Sequence, residues 1–191
     1  MQVLSTNMAT AHEIEINGRQ VRTGIGKRSV SGPIEVRPLG LVGDEQADLS
    51  VHGGLGKAVY AYPVEHYPFW QTVRAQAQVA AWNEPLPHGF IGENLTIRGL
   101  LENQVCVGDV LRFANCELAV SEPRFPCFKF NAVMGFNQAA KLMVANAWCG
   151  FYLAVRVPGT VVAGETFELI HGPREVNITA LFRSKAAAPK N

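Results

Sequence analysis

Apolar and polar residues alternate in short runs along most of this chain, and the repeat is two far more often than 3.6. Val105 and Val107, then Leu111 and Phe113, then Leu118 and Val120 recur at every second position, separated by the turn signals Gly108-Asp109 and Asn115-Cys116. That pattern predicts a meander of strands. Phe151, Leu153, Val155 and Val157 share one face, Pro158-Gly159 signals a turn, and Val161 to Ile170 supplies another strand or pair, predicting a second hairpin. Upstream, Glu13 to Ile16 alternates and turns at Asn17-Gly18, while Ile34 to Val36 and Val59 to Tyr62 read as short strands.

Two segments leave this period. From about Pro63 to Trp82 helix formers accumulate, Trp70, Val73 and Ala77 can share a face, and Pro63 or Pro68 suits a first helical turn. A second helix is predicted over Asn137 to Ala147, with Ala139, Leu142 and Met143 inward. Many short strands with two helical insertions predict a mainly β protein: a mixed-strand barrel with a few peripheral helices, in preference to a doubly wound parallel sheet.

The chain has 191 residues, 48% of them hydrophobic and 17% charged, which suits one domain with a sizeable core. We take that domain as 1–182 and the remaining 183–191 as a tail, loose from Lys185 onward. A formal net charge of +1 with scattered cations gives no electrostatic footprint for nucleic acid. No apolar run reaches the length of a membrane span. The opening residues lack a charged and then apolar leader, so the expected compartment is the cytoplasm, where thiols stay reduced and no disulfides form.

Chemistry concentrates in two places. The first is Ser121 to Phe130, where Pro123 and Pro126 mark a strand running out into a loop around Cys127. Arg124 and Lys129 flank that thiol, and nearby cations favour the thiolate, the form that attacks electrophiles and binds metals. The rival reading is a small buried hydrophobe. Cys106, Cys116 and Cys149 are widely spaced, form no C-x-x-C pair and lack a companion histidine, so they read as structural.

The second is the glycine-rich run Gly43 to Ala58, whose backbone amides, with His52, Gly53, Gly54 and Lys57, suit an oxyanion. It is not a nucleotide loop: a Walker motif ending at Gly56-Lys57 needs glycine where Val51 stands and a hydroxyl where Ala58 stands. Gly24-Ile25-Gly26-Lys27-Arg28 fails the same test. Asp44, Asp48 and His52 can be read as a hard-cation site or, with Ser50, as a hydrolytic triad, but loop carboxylates usually make local turns and caps. A lone soft thiolate can ligate a transition metal only if the metal brings most of its other ligands with it. Lys27, Arg28, Lys57 and Arg124 are candidates for the anionic tail of such a cofactor, with ordinary solvated charge as the alternative.

Four ordered motifs then make a specific resemblance. Gly43-Asp-x-Gln46-Ala-Asp48-x-x-Val51-His52-Gly-Gly54-x-x-Lys57 running into Tyr60-Ala-Tyr62-Pro63, Gly92-Glu93-Asn94-Leu95-Thr96, Val107-Gly108-Asp109 and Pro123-Arg124-x-Pro126-Cys127-x-Lys129 are similar to the MOSC domain family in its YiiM-like branch, over about Gly24 to Ile170. The resemblance implies a MOSC-type β-barrel that binds the molybdenum cofactor, a molybdenum held by the dithiolene of a phosphate-bearing pyranopterin. It implies Cys127 as the protein ligand to molybdenum and the catalytic cysteine. It also implies Lys27 and Asn94 near the pterin or its phosphate, with Arg28, His52, Gly53, Gly54, Lys57 and Arg124 as further pocket positions. The family divides between reduction of N-hydroxylated substrates and carriage of cofactor or persulfide sulfur. The expected function is therefore reduction of small N-hydroxylated compounds such as base analogues. An external reductase must supply the electrons, since no flavin, haem or iron–sulfur motif is visible. The non-catalytic carrier is the alternative, and a cofactor-free thiol enzyme comes third because only His52 offers a base. Longer relatives continue into a helical extension, whereas here Gly172 to Phe182 closes the domain.

Overall fold

The structure, a computed structural model, describes residues 1–16, 18–47 and 53–188. In chain order the strands and helices of the first half are β1 (Gln2–Met8), β2 (His12–Ile16), β3 (Arg19–Thr23), β4 (Arg28–Val30), β5 (Ile34–Arg37), β6 (Gly40–Leu41), β7 (Val59–Pro63), α1 (Tyr67–Gln76) and β8 (Leu95–Arg98). The second half adds β9 (Val110–Arg112), β10 (Glu117–Pro123), α2 (Phe128–Met134), α3 (Ala139–Asn146), β11 (Phe151–Val157), β12 (Gly159–Val161), β13 (Glu168–Ile170) and α4 (Ile178–Ala187).

Eight strands form one mixed sheet in the order β13-β9-β10-β11-β7-β8-β1-β4. Its one parallel pair is β7 with β8, the two strands joined through α1. β7 is buried along its whole length and β8 along all but Arg98, the apolar-run character of strands covered on both faces. Among the described residues the expected closed barrel is not found: the ladder ends on β13 and β4. Val3 N–H to Glu165 O at 2.9 Å and Gly164 N–H to Val3 O at 2.8 Å tie β1 to the segment before β13 without a continuous ladder.

The predicted hairpin after Pro158 is also absent. β12 leaves β11 and pairs with β5 in a separate sheet, β12-β5-β6. The chain can pass there only as glycine, because a Cβ on Gly159 would lie 2.1 Å from Asn115 O. Val105 to Val107 is likewise no strand. The Asp109 carboxylate accepts the Cys106 N–H at 2.9 Å, and Val107 N–H bonds to Val176 O at 2.8 Å, so these amides serve a loop.

The first predicted helix is shorter than its composition suggests. One 3-10 turn, Val64–His66, leads into α1 with Pro68 in its first turn, and the helix ends before exposed Ala77, followed by Gln78 at φ 58°. α3 matches its expected place, with Ala139 and Met143 buried. Two helices went unread. α2 starts directly after Cys127, and α4 runs through Ala187, three residues into the stretch expected to be loose. The Asn177 carboxamide oxygen caps α4, accepting from Ala180 N–H at 3.2 Å. Among the described residues no helix is long and apolar enough to cross a membrane.

Candidate functional site

β10 ends at Pro123, and its continuation turns across one face of the sheet as Arg124-Phe125-Pro126-Cys127 before α2 begins. Phe125 is not among the residues that line the cleft and stacks on Phe182 of α4, with ring centroids 4.6 Å apart and planes at 21°. That stack fixes the loop from behind. Arg124 and half-buried Cys127 then line a cleft of about 670 Å³, counted out to its open mouth.

The cleft gathers side chains from distant parts of the sequence. Lys27 enters just before β4, Lys57 from the 3-10 turn before β7, and Asn94 from the residue before β8. Lys129, on α2, completes a set of four cations set against the carboxylates of Asp44 and Glu45. Tyr60 and Tyr152 form an aromatic wall, their rings 5.4 Å apart. The sequence pattern places both tyrosines in strands, and Tyr60 also in the first motif, but nothing in a period-two pattern separates a wall residue from a core residue.

Lys27 is almost completely buried and ion-paired with Asp44. Burial lowers the ammonium pKa, and Asp44 works against that shift. Asp44 is held in turn: Oδ1 also accepts from Ala9 N–H at 3.0 Å, and Oδ2 accepts from Asn94 Nδ2 at 2.8 Å. Asn94 spends the rest of its amide on backbone, accepting Tyr60 N–H at 3.1 Å and donating to Asn7 O at 3.3 Å. Asn94 therefore lines the cleft as the keystone of a hydrogen-bonded frame that sets Asp44 and Lys27.

The other cations differ. Lys57 Nζ lies 3.8 Å from Glu122 Oε1 and 5.9 Å from the centre of the Tyr152 ring. Lys129 donates to Arg22 O at 2.8 Å, which ties α2 to β3. Arg124 is 5% exposed, over the faces of Tyr60 and Phe130 at 5.6 and 5.0 Å from their centres. Arg28, by contrast, points from β4 into a separate depression with Met8, His12 and Gly26. Gly53 and Gly54 precede the Lys57 turn without lining the cleft, and His52, like Asp48 and Ser50, lies outside the described residues. None of the four cysteines is in a disulfide. Cys149 and Cys116 are buried and their thiol pKa values are raised by that burial, to about 11 for Cys116, as suits inert packing residues.

The donor set decides what kind of metal suits the cleft. Among the described residues no three His, Cys, Asp or Glu side chains come close enough to hold an ion. Among the described residues a bare cation would find too few ligands beside Cys127. A metal delivered inside an anionic chelate would meet one sulfur donor and an excess of positive charge, so these residues fit a chelate-borne metal.

A MOSC domain model matches residues 48–168. The Bacillus subtilis protein YflK is 38% identical over 168 residues, covering 88% of this chain and 72% of YflK. A Gibberella moniliformis protein named a reductase is 34% identical over 161 residues, which is 82% of this chain and 27% of that larger protein. The crystal structure of YiiM from Geobacillus stearothermophilus superposes with a TM-score of 0.76 at 27% identity, over 97% of this chain and 84% of YiiM.

Proposed function

The chain belongs to the MOSC domain family, in its YiiM-like branch, and from that premise we propose that it binds the molybdenum cofactor and reduces small N-hydroxylated compounds with electrons from a separate donor protein. The observation that carries this reading is the position of Cys127 on a cation-lined cleft that, among the described residues, offers a metal no other cluster of ligands. Cys127 would hold the metal. Lys27, Lys57 and Arg124 would meet the anionic cofactor, with Asn94 setting Lys27 through Asp44. When bound, the cofactor supplies two-electron chemistry of the kind that removes oxygen from nitrogen. Tyr60 and Tyr152 bound the cleft and exclude water from the side of the sheet.

The overall change balances as R–NHOH plus two electrons and two protons giving R–NH2 and water. The reductase name borne by the Gibberella relative supports this class of reaction over carriage of cofactor or sulfur. The test is turnover: cofactor-loaded protein, given a low-potential electron donor, should convert an N-hydroxylated base to the amine. Protein that exchanges cofactor or persulfide sulfur without consuming that substrate would instead be a carrier.

A further inference from the structure

Among the described residues β2 and β3 pair only with each other, as a two-stranded ribbon outside the main sheet. Their register sorts the side chains by face. Ile14 lies opposite Val21, Ile16 opposite Arg19 and His12 opposite Thr23, while Glu13, Glu15, Gln20 and Arg22 occupy the other face and are all exposed. Ile14, Ile16 and Val21 are half-buried, yet among the described residues none of the three packs against the hydrophobic core. Thr23 shares their face, is 2% exposed and lines the cleft, and Gly24 and Ile25 follow it in the same lining. The apolar face of the ribbon therefore continues the wall of the Cys127 cleft.

The ribbon is fixed at its base and along one strand. Ala11 N–H donates to the Glu45 carboxylate at 2.8 Å, and Glu45 N–H donates to Ala9 O at 2.8 Å. A Cβ on Gly24 would lie 2.5 Å from Glu45 O, so the start of β2 and the end of β3 both close on Glu45. Lys129, two residues after Cys127, holds β3 through its hydrogen bond to Arg22 O. A two-stranded ribbon is marginal in water unless its apolar face is covered. Here that face adjoins the cleft instead of the core. We propose that the ribbon is the apolar wall of a substrate subsite, in which Ile14 and Val21 select small molecules that carry an apolar alkyl or aryl group next to the reacting group. The inference rests on the reading of the cleft as a reductase site and deepens it, by assigning a place to the substrate's carbon skeleton.

The probes are iodoacetamide and its N-phenyl derivative, applied to cofactor-free protein. Cys127 is half-buried and the other three cysteines are buried, so alkylation reports on the cleft. The ratio of the two rates, divided by the same ratio for glutathione, cancels any effect of charge on the thiolate and leaves the preference for an apolar group. Wild type should prefer the phenyl reagent about tenfold, the worth of moving roughly half a ring out of water. Ile14→Thr with Val21→Thr keeps β-branched side chains in the ladder but makes the face polar, and should bring the preference to within about twofold of none. Val21→Thr alone, should the pair not fold, should fall between. Glu15→Gln, on the exposed face, should match wild type. No preference in wild type, or a preference that survives in the double variant and so belongs to the Tyr60 and Tyr152 wall, would overturn the proposal. So would a wild-type dimer in gel filtration that the double variant converts to monomer, since a second copy would then cover this face. The measurement needs no molybdenum, so its failure is separable from failure of the cofactor reading.

Discussion

At the scale of single residues, two buried polar side chains set the frame behind the cleft. Asn94 satisfies the Tyr60 N–H, the Asn7 carbonyl and one oxygen of Asp44. Asn94→Ala strands all three, and each orphaned buried group costs about 1 to 3 kcal/mol, so denaturant unfolding should show a loss of about 3 kcal/mol or more. Glu93, its neighbour, is fully buried and takes three hydrogen bonds on Oε1 alone, from Tyr67, Gly89 and Thr96, while Oε2 has no partner. Burial raises its pKa above the usual carboxylate value of 4.5. The folded state therefore holds this proton more tightly than the unfolded chain. Its contribution is fully present below pH 4.5 and is lost as pH rises through the folded pKa. Stability measured from pH 4 upward should fall less steeply in Glu93→Gln than in wild type; identical slopes would remove Glu93 from the linkage. Cys127, Lys27, Lys57, Arg124 and Asn94, which line the cleft, were legible as motif positions, whereas Arg28, expected beside them, lies in a separate depression. The Lys27–Asp44 pair was not legible, because motif positions do not tell which loop carboxylate a buried cation meets.

At the scale of elements, legibility followed the kind of signal each segment carries. β7 and β11 were readable because their apolar residues recur in unbroken or alternating runs. The Val105 to Val107 repeat has the same period, yet Asp109 diverts its backbone, a long-range event in side-chain space that periodicity does not encode. α2 was hidden by Pro126 and by its brevity. α4 left a readable trace in its Asn177 cap and in Ile178 and Phe182, four apart and both buried. That helix matters to the site, because Phe182 backs the loop bearing Arg124 and Cys127 through Phe125. Phe182→Ala should cost about 3 to 5 kcal/mol, the usual range for a large aromatic deleted from a core. It should also broaden the signals of that loop in NMR spectra; a stability loss with the loop signals unchanged would reduce α4 to packing.

At the scale of the whole molecule, an open mixed sheet carries a cation-lined cleft assembled from six separated stretches of chain between Thr23 and Tyr152. The expectation of a barrel came from the count of short strands and from the family resemblance, and neither reveals whether β13 and β4 meet in this chain. What does follow from the assembled molecule is a division between a single sulfur donor, a surplus of positive charge and an aromatic wall. Cys127 makes no side-chain cap to α2, so replacing it with alanine should leave the helix and the fold in place. The most direct test is elemental analysis for molybdenum, with pterin release, on wild-type protein and Cys127→Ala produced side by side in a host that makes the cofactor. Near-stoichiometric molybdenum in wild type and its loss from the folded variant is the predicted result. Equal metal in both, or neither metal nor pterin in wild type, would contradict the assignment of Cys127 as the ligand of a cofactor-bound metal.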